Sequence, residues 1–353
     1  MNENESKNNN NNNNTYELLN NKIDITIPVI LVDTSYWLYY RFFALRNWYH
    51  RAFPEINKNI NFNMEHNWME NTMFMTKYQK LFIENIKILC RKYNTKLTNV
   101  IFCIDCPHKE IWRCKYTENY KGTRLESHKK QNFNSYNIFN HIKKNILPNL
   151  QQKHNIKIIA NSKCEADDII GNLAPLLVEN GTNKVIILAN DNDYLQICNS
   201  NIYLINGVGN IISDENICKY IGEKYLISKI LIGDKSDNIK CCSVNSNFID
   251  NLHDLNELHE LHELHELNDT NINNVCNEKY KKIYKTNIDK IISSNFKYNI
   301  LKNMLYEIRN NKNITMNNII YNDKFKQNAT LMDFQMLPIE IKNELNVKFL
   351  NLF

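Results

Sequence analysis

The sequence predicts an α/β fold in which a doubly wound, mostly parallel sheet is followed by a C-terminal helical domain. Short apolar segments without alternation, such as ITIPVILVD and NKVIILAND, are typical of strands buried on both faces of a parallel sheet. Longer segments with helical periodicity separate them, and this alternation indicates strand–helix–strand units. After Asn238 the strand signals stop and helical patterns dominate.

The elements follow in order. ITIPVILVD is a strand that ends at Asp33, and the aromatic segment YWLYYRFFALRNWYHRA is predicted to form a helix packed on the sheet. TKYQKLFIENIKILCRKY has the spacing of an amphipathic helix, and NVIFCID is the next strand, ending at Asp105. Strand IKIIA, helix CEADDIIGNLAPLLVEN and strand NKVIILAND follow, with NIYLIN as a candidate further strand.

Composition divides the chain into three parts. Residues 1–22 are an Asn-rich tail that cannot bury apolar area and is predicted to be disordered. Residues 23–240 form the α/β domain, and residues 241–353 form the helical domain. Within the helical domain, leucine and histidine recur at every third position of residues 252–268. Side chains with this spacing spiral around a helix and do not line up on one face. We therefore interpret the repeat as a low-complexity insertion.

Charge and cysteine content narrow the class of protein. The formal net charge is +5. If many of the acids gathered in one site, the rest of the protein surface would be strongly basic. Such a surface suits the phosphate backbone of a nucleic acid as ligand. The ten cysteines follow neither a secreted disulfide pattern nor a zinc-finger pattern, so a reduced intracellular compartment is expected. No apolar run reaches the length of a membrane span, and the N-terminus has no signal-like apolar segment.

Nine acidic residues lie in short clusters, several where a predicted strand ends. Crowded carboxylates repel one another unless cations lie between them, and oxygen ligands without His or Cys favour Mg²⁺ or Mn²⁺. In doubly wound sheets the ligand site lies at the carboxyl ends of the strands. Two such ions a few Å apart are suited to phosphodiester hydrolysis, so the sequence predicts a two-metal nuclease site. Its candidate ligands are Asp33, Asp105, Glu165, Asp167, Asp168, Asp191, Asp193, Asp234 and Asp237.

Each motif also has a structural interpretation that the sequence leaves open. The acids of EADD could cap a helix, and Asp191 and Asp193 could belong to a turn instead of sharing one side of a strand end. The segment WRCKYTENYKGTR combines aromatic and cationic side chains that could bind DNA, or it could be a solvated helix. Its candidate DNA-binding residues are Trp112, Arg113, Tyr116, Tyr120, Lys121 and Arg124.

These blocks resemble, in their order, the 5′-nuclease superfamily, which includes flap endonucleases, 5′-nuclease domains of bacterial DNA polymerases and bacteriophage enzymes. VDTS, IDCP, YKGTR, EADD, NDNDYLQ and GDKSDNI carry the resemblance over about residues 28–240. SKILIGDKSDNI and FKQNATLMDFQMLP are most similar to the bacteriophage ribonuclease H branch. The resemblance implies the PIN-like version of the α/β fold.

The resemblance also implies roles for the site residues. Asp33, Asp105, Glu165 and Asp167 would surround a first Mg²⁺ or Mn²⁺, Asp191, Asp193 and Asp237 would hold a second, and Asp168 and Asp234 would act through water. Lys121 and Arg124 would draw the scissile phosphate onto the metals, next to Tyr120; with Asp105 and Asp167 they form the expected catalytic set. The implied activity is that of a monomeric 5′-3′ exonuclease or flap endonuclease acting on DNA in replication and repair.

Two departures and three alternatives accompany this resemblance. The glycine-rich turn that follows GDKSDNI in the family is replaced by KCCSVNSNFIDNLHDL, and about residues 107–150 leave room for only a short arch. A PIN-type ribonuclease acting on RNA or an RNA–DNA hybrid, a non-catalytic nucleic-acid-binding protein and a metal-dependent phosphatase remain alternatives. The compartment stays open, and an organelle is compatible with the sequence.

Overall fold

The computed structural model describes most of the chain with gaps. The described residues are 22–54, 68–117, 120–122, 136–214, 216–245, 280–283, 285–312 and 322–353. The predicted disordered tail and the insertion at 252–268 therefore lie outside the described residues, apart from residue 22. Among the described residues, no helix combines the length and the apolarity needed to cross a membrane.

A five-stranded parallel sheet forms the centre of the molecule. Its strands are β1 (Val29–Asp33), β2 (Val100–Ile104), β3 (Lys157–Ala160), β4 (Val185–Leu188) and β5 (Ile202–Ile205). Their order across the sheet is β3-β2-β1-β4-β5, with every neighbouring pair parallel. The chain builds outward from β1 on one side and returns to build on the other, so the topological switch point lies at β1 and β4, where such sheets bind ligands.

The strands form because both faces of the sheet are covered. Every residue of β2 and β4 is buried, and the β-branched residues that dominate these strands pack well on a pleated surface. Alternate side chains enter two separate cores: Ile30 and Val32 face one, and Val29 and Leu31 face the other. This double burial confirms the predicted α/β class and its parallel sheet.

The described part of the chain contains ten α-helices. They are α1 (Thr34–Ala52), α2 (Thr72–Lys92), α3 (Tyr136–His141), α4 (Leu147–His154), α5 (Ala166–Glu179), α6 (Gly222–Ile232), α7 (Lys285–Ser293), α8 (Asn295–Arg309), α9 (Asn322–Met332) and α10 (Ile339–Leu350). A π-helical turn, Ile142–Ile146, joins α3 to α4. The two helices predicted between the first and second strands correspond to α1 and α2, and the helix predicted after the third strand corresponds to α5.

Two helices begin where a sheet-edge acid supplies the cap. The Asp33 side chain accepts a hydrogen bond from the backbone N–H of Tyr36 at 2.9 Å, so the acid that ends β1 also starts α1. Glu165 and Asp168 form a reciprocal capping box at the start of α5. Capping and a place at the sheet edge are therefore compatible for these residues.

Helices from before and after residue 240 pack against each other. Helix α6 shares an apolar core with α7, α8 and α9, while α10 packs through Ile341, Leu345 and Phe349 into the core beneath the sheet. A two-stranded antiparallel ribbon, β6 (Ser243–Asn245) with β7 (Tyr280–Lys282), follows the GDKSDNI loop. The division of the chain at residue 240 stays a prediction, and the C-terminal helices are built onto the α/β part.

Candidate metal centre

Five of the nine acids meet at the carboxyl edge of the sheet. Asp33 ends β1, Asp105 follows β2, and Asp191 follows β4 across the switch point. Glu165 and Asp167 come from the start of α5, whose backbone N–H of Ala166 donates to Asp105 Oδ1 at 2.9 Å. The parallel topology thus brings together residues that are far apart along the chain.

These five carboxylates line one cavity of about 390 Å³, which we name the strand-edge cavity. Its wall is completed by Ser35, Tyr36, Tyr39, Cys106, His108, Ile111 and Lys121. Ser35 donates its hydroxyl to Asp105, and the Tyr194 hydroxyl donates to Asp33 Oδ2 at 3.2 Å. Both hydrogen bonds fix the orientation of a carboxylate that faces the cavity.

The strand-edge cavity carries unbalanced negative charge. Burial, reinforced by repulsion from Asp105, raises the pKa of Asp33 to about 7. Burial and repulsion from Asp167 raise the pKa of Glu165 to about 7, although Lys121 and Arg113 oppose the shift. Burial also raises the pKa of Asp191. A bound cation would remove the cost of ionising these groups together.

The side chains present fit a hard divalent cation. All five donors are carboxylates, the ligand type that Mg²⁺ and Mn²⁺ prefer. Asp167 Oδ1 is buried and accepts no hydrogen bond from the described residues; its nearest cation is Arg113, at 3.9 Å. A buried oxygen left in this state calls for a partner of the kind a metal ion provides.

Asp193, Asp234 and Asp237 form a second group, which we name the Lys229 cluster. One oxygen of each lies within 4.8 Å of the others. Lys229 forms an ion pair with Asp193 and a second one, at 2.9 Å, with Asp234. Burial alone would raise the pKa of Asp234, but hydrogen bonds from Ser236 and the Lys229 ammonium outweigh it and hold the pKa at about 2.

Asp191 and Asp193 separate into these two groups because they belong to a turn. Asp191 caps a 3₁₀ turn, Asn192–Gln196, and its Oδ1 accepts the backbone N–H of Asp193 at 2.9 Å. The extended geometry that would place both side chains on one side is therefore absent here. Asp191 faces the strand-edge cavity, and Asp193 faces Lys229.

Lys121 connects the two groups. Its ammonium donates to Glu165 Oε1 at 2.6 Å and lies 3.9 Å from Asp237 Oδ2, while its side chain is 8% exposed. Its φ of 54° is left-handed, which is uncommon for a residue with a side chain. The preceding Tyr120 donates its hydroxyl to Glu165 Oε2 at 3.0 Å. Lys121 therefore reaches into the site from a backbone held in an unusual conformation.

Besides Lys121, three predicted DNA-binding residues are buried: Trp112, Arg113 and Tyr120. The indole N–H of Trp112 donates to Asp168 Oδ2 at 3.0 Å, and the Arg113 guanidinium binds Asp168 through both terminal nitrogens, at 2.9 and 2.7 Å. Tyr120 is 3% exposed. Each of these side chains holds an acid, and their contact with DNA stays a prediction. Tyr116 is 53% exposed, and Arg124 lies outside the described residues.

Asp168 is an internal support of α5. It is fully buried, and besides Arg113 and Trp112 it accepts the backbone N–H of Glu165 at 3.1 Å. Sequence reasoning missed Lys229, whose signal was its place on the helix that leads into GDKSDNI. It also missed Ser35, which lies in the VDTS motif, and Tyr194, which lies in NDNDYLQ.

The chain matches a known protein family and several named relatives. The family described as "5'-3' exonuclease, N-terminal resolvase-like domain" matches residues 28–230. A 5'-3' exonuclease of Buchnera aphidicola subsp. Schizaphis graminum is 30% identical over 216 residues, which cover 60% of this chain and 64% of that protein. A second one, from Buchnera aphidicola subsp. Baizongia pistaciae, is 33% identical over 151 residues, covering 40% of this chain and 45% of its own length.

A solved structure shares the fold. It is the flap endonuclease of bacteriophage T5 in a pseudo-enzyme–product complex with DNA and metal ions, with a TM-score of 0.50 and 12% identity. The likeness covers 92% of this chain and 98% of that one. The matched region spans less than two thirds of the curated relatives' lengths. The family match covers more than half of this chain, so the protein belongs to the family of the 5'-3' exonuclease N-terminal, resolvase-like domain.

Proposed function

We propose that this protein is a divalent-metal nuclease that hydrolyses DNA phosphodiesters at 5′ ends and junctions, as a 5′-3′ exonuclease or flap endonuclease. The observation that carries the proposal is the strand-edge cavity, where five carboxylates face one space beside Lys121. Family membership and the curated relatives named 5'-3' exonuclease support it. The T5 complex supports DNA as the substrate class.

Two Mg²⁺ or Mn²⁺ ions are the proposed cofactors. Asp33, Asp105, Glu165, Asp167 and Asp191 would hold one, and Asp193 and Asp237, together with Asp167, are candidates for the other. When bound, such ions activate water and stabilise the charge of a leaving oxygen. The carboxylates contribute by keeping a dense, oriented set of oxygen donors at an open sheet edge.

Lys121 is the proposed partner of the scissile phosphate. Its ammonium is held by Glu165, at 2.6 Å. Lys121 also lines the strand-edge cavity, where its ammonium could neutralise charge that develops on phosphoryl oxygens. Arg124 stays a proposed second cation for the same phosphate.

Further features of the proposal follow from the family resemblance. Products would carry a 5′-phosphate and a 3′-hydroxyl, the working unit would be a monomer, and the process served would be DNA replication and repair. A ribonuclease that acts on RNA or an RNA–DNA hybrid would use the same carboxylates, so substrate trials must include matched RNA strands.

One cleavage experiment tests the proposal. End-labelled flap, nicked, blunt and single-stranded DNA, with matched strands of RNA, are incubated with Mg²⁺, with Mn²⁺ or with EDTA, and every product is mapped. We expect metal-dependent cleavage near 5′ ends or junctions of DNA. Binding of these substrates without any cleavage would instead indicate a non-catalytic nucleic-acid-binding protein, and cleavage of RNA alone would indicate a ribonuclease.

A further inference from the structure

A C-terminal segment far from the acids in sequence lies directly behind them. Residues 331–334, which we name the strap, connect the end of α9 to the turn before α10. All four residues are at most 5% exposed. Arg309 of α8 anchors the strap by donating to Asp333 Oδ2 at 2.6 Å. The strap lies beyond residues 28–230, the part that matches the family.

Three side chains from the α/β part bind the backbone of the strap. Arg113 Nε donates to the Leu331 carbonyl at 2.7 Å, and Asn172 Nδ2 donates to the Phe334 carbonyl at 3.2 Å. The Gln196 amide bonds twice, donating to the Met332 carbonyl at 3.1 Å and accepting the Phe334 N–H at 3.2 Å. Backbone groups that would otherwise be buried without partners are thereby satisfied.

Each of these side chains is also connected to a site acid. The Arg113 guanidinium bonds to Asp168 and to Glu165 Oε2, at 3.3 Å, so one planar group spans strap and acids. Gln196 Nε2 donates to the backbone carbonyl of Asp193 at 2.9 Å. Asn172 lies on α5, the helix that begins with Glu165, Asp167 and Asp168. The strap thus contacts supports of both acid groups.

Apolar packing adds a further connection. A Cβ built on Gly171 of α5 would lie 2.4 Å from the Phe334 ring, so only glycine leaves room for this contact. The Phe334 ring lies 6.1 Å, centroid to centroid, from Tyr194, whose hydroxyl donates to Asp33. A shift of the strap would therefore change the positions of Asp33 and of helix α5 together.

We propose that the strap positions the metal-binding carboxylates. Arg113 and Gln196 are the positioning residues: Arg113 connects the strap to Glu165 and Asp168, and Gln196 connects it to Asp193. The inference rests on the proposed metal-dependent function. It extends the functional centre beyond the family-matched region to the C-terminal helices. Partners that orient metal ligands from behind typically change metal affinity about ten- to a hundredfold when they are removed.

Mn²⁺ binding measures this without relying on cleavage. We expect Gln196→Met, which keeps the volume and removes both hydrogen-bonding functions, to raise the Mn²⁺ dissociation constant about ten- to a hundredfold. Arg113→Lys keeps the charge but cannot bridge Leu331 and Asp168, and it should have an effect of the same order. The readouts are the electron paramagnetic resonance signal of free Mn²⁺ during titration and the melting temperature of each variant.

Asn99→Leu is the matched control. The Asn99 amide also bonds to a backbone segment, accepting the Asp24 N–H and donating to the carbonyls of Asp24, Ile27 and Pro28, but at the opposite end of the sheet. We expect it to lower the melting temperature and leave Mn²⁺ affinity unchanged. The inference is overturned if Gln196→Met and Arg113→Lys melt earlier but bind Mn²⁺ like the wild type. Wild-type protein that neither binds Mn²⁺ nor cleaves DNA would refute the proposed function, and the inference with it.

Discussion

The strand-edge cavity and the Lys229 cluster contain the same kind of side chain in opposite electrostatic states. In the cavity, burial and mutual repulsion raise the pKa of Asp33 and of Glu165 to about 7. In the cluster, Lys229 and Ser236 hold the pKa of Asp234 at about 2 against the effect of burial. The cavity has too little positive charge for its five carboxylates, even with Lys121 bound to Glu165. In the cluster, Lys229 pairs with two of the three acids.

This difference suggests an order of binding. The cavity has more to gain from a metal ion, because ionising its carboxylates without one is costly. In the Lys229 cluster an entering ion must first displace the ammonium from Asp193 and Asp234. We therefore expect tight binding in the cavity and weaker binding in the cluster. Four predictions challenge that contrast.

The largest effect is expected from Asp191→Asn, which keeps the side-chain shape and removes one charge from the cavity. Turnover should fall by about a thousandfold or more, which corresponds to roughly 4 kcal/mol of activation free energy. The reason is that a metal ion held less well stabilises the charge of the transition state less. DNA binding should persist in part. Cleavage rates and fluorescence anisotropy measure the two quantities. Asp289→Asn, at a surface acid paired with Lys219, is the control; equal turnover in both variants would remove Asp191 from the site.

Metal removal should make stability depend on pH. The pKa of Asp33 and of Glu165 is raised in the folded state, so between about pH 4 and 7 the metal-free folded protein binds more protons than the unfolded chain. The free energy of unfolding must then fall as pH rises through that range, by an amount on the order of a few kcal/mol.

Thermal unfolding in EDTA at about pH 5.5 and pH 8 measures this slope. Excess Mg²⁺ at the higher pH should restore the lost stability, and Asp33→Asn, which keeps the oxygen that caps α1, should flatten the dependence. A metal-free protein that melts at a higher temperature at the higher pH would contradict the assignment of unbalanced charge to the cavity.

Lys121→Ala should lower turnover by about a hundredfold, the scale of one lost electrostatic donor, and affect DNA affinity less. Single-turnover cleavage and binding in Ca²⁺ separate the two effects. Lys302→Ala, at an exposed lysine paired with Glu223, is the control. An effect limited to affinity would mean that Lys121 only docks the DNA backbone.

The smallest effect is expected from Lys229→Met. Without the ammonium, Asp193 and Asp234 repel each other, so the metal-free protein should lose about 1–2 kcal/mol of stability, a partly exposed pair being worth less than a fully buried one. Mg²⁺ should then raise the melting temperature more than in the wild type, and the weaker ion should bind more tightly. Unchanged Mg²⁺ stabilisation would remove the contrast between the two groups.

The sequence was sufficient for the parallel sheet and for the approximate place of the acids. Unbroken apolar runs such as Val185–Leu188 reveal buried strands, and acids after such runs must lie at the carboxyl edge whatever the strand order is. Strand order itself depends on crossovers that no local pattern encodes. The position of β1 between β2 and β4 therefore came only from the structure.

The roles that the sequence did not reveal belong to residues whose partners are distant along the chain. In the sequence, Arg113 has the pattern of a surface cation. In the structure, Asp168 from a different element neutralises it. Tyr194 and Gln196 are likewise ordinary turn residues in sequence, and their roles arise from Asp33 and the strap. The positions of acids can be read locally, but the groups that support them depend on tertiary contacts.

The ribbon of β6 and β7 has a consequence for the length of the chain. Its register pairs Asn245 with Tyr280, so the two ends of the intervening stretch lie side by side. The entropic cost of closing a flexible loop grows only with the logarithm of its length, about 0.6 kcal/mol for each doubling. A change in the number of residues between these two strands would therefore add little to the free energy of closing the ribbon.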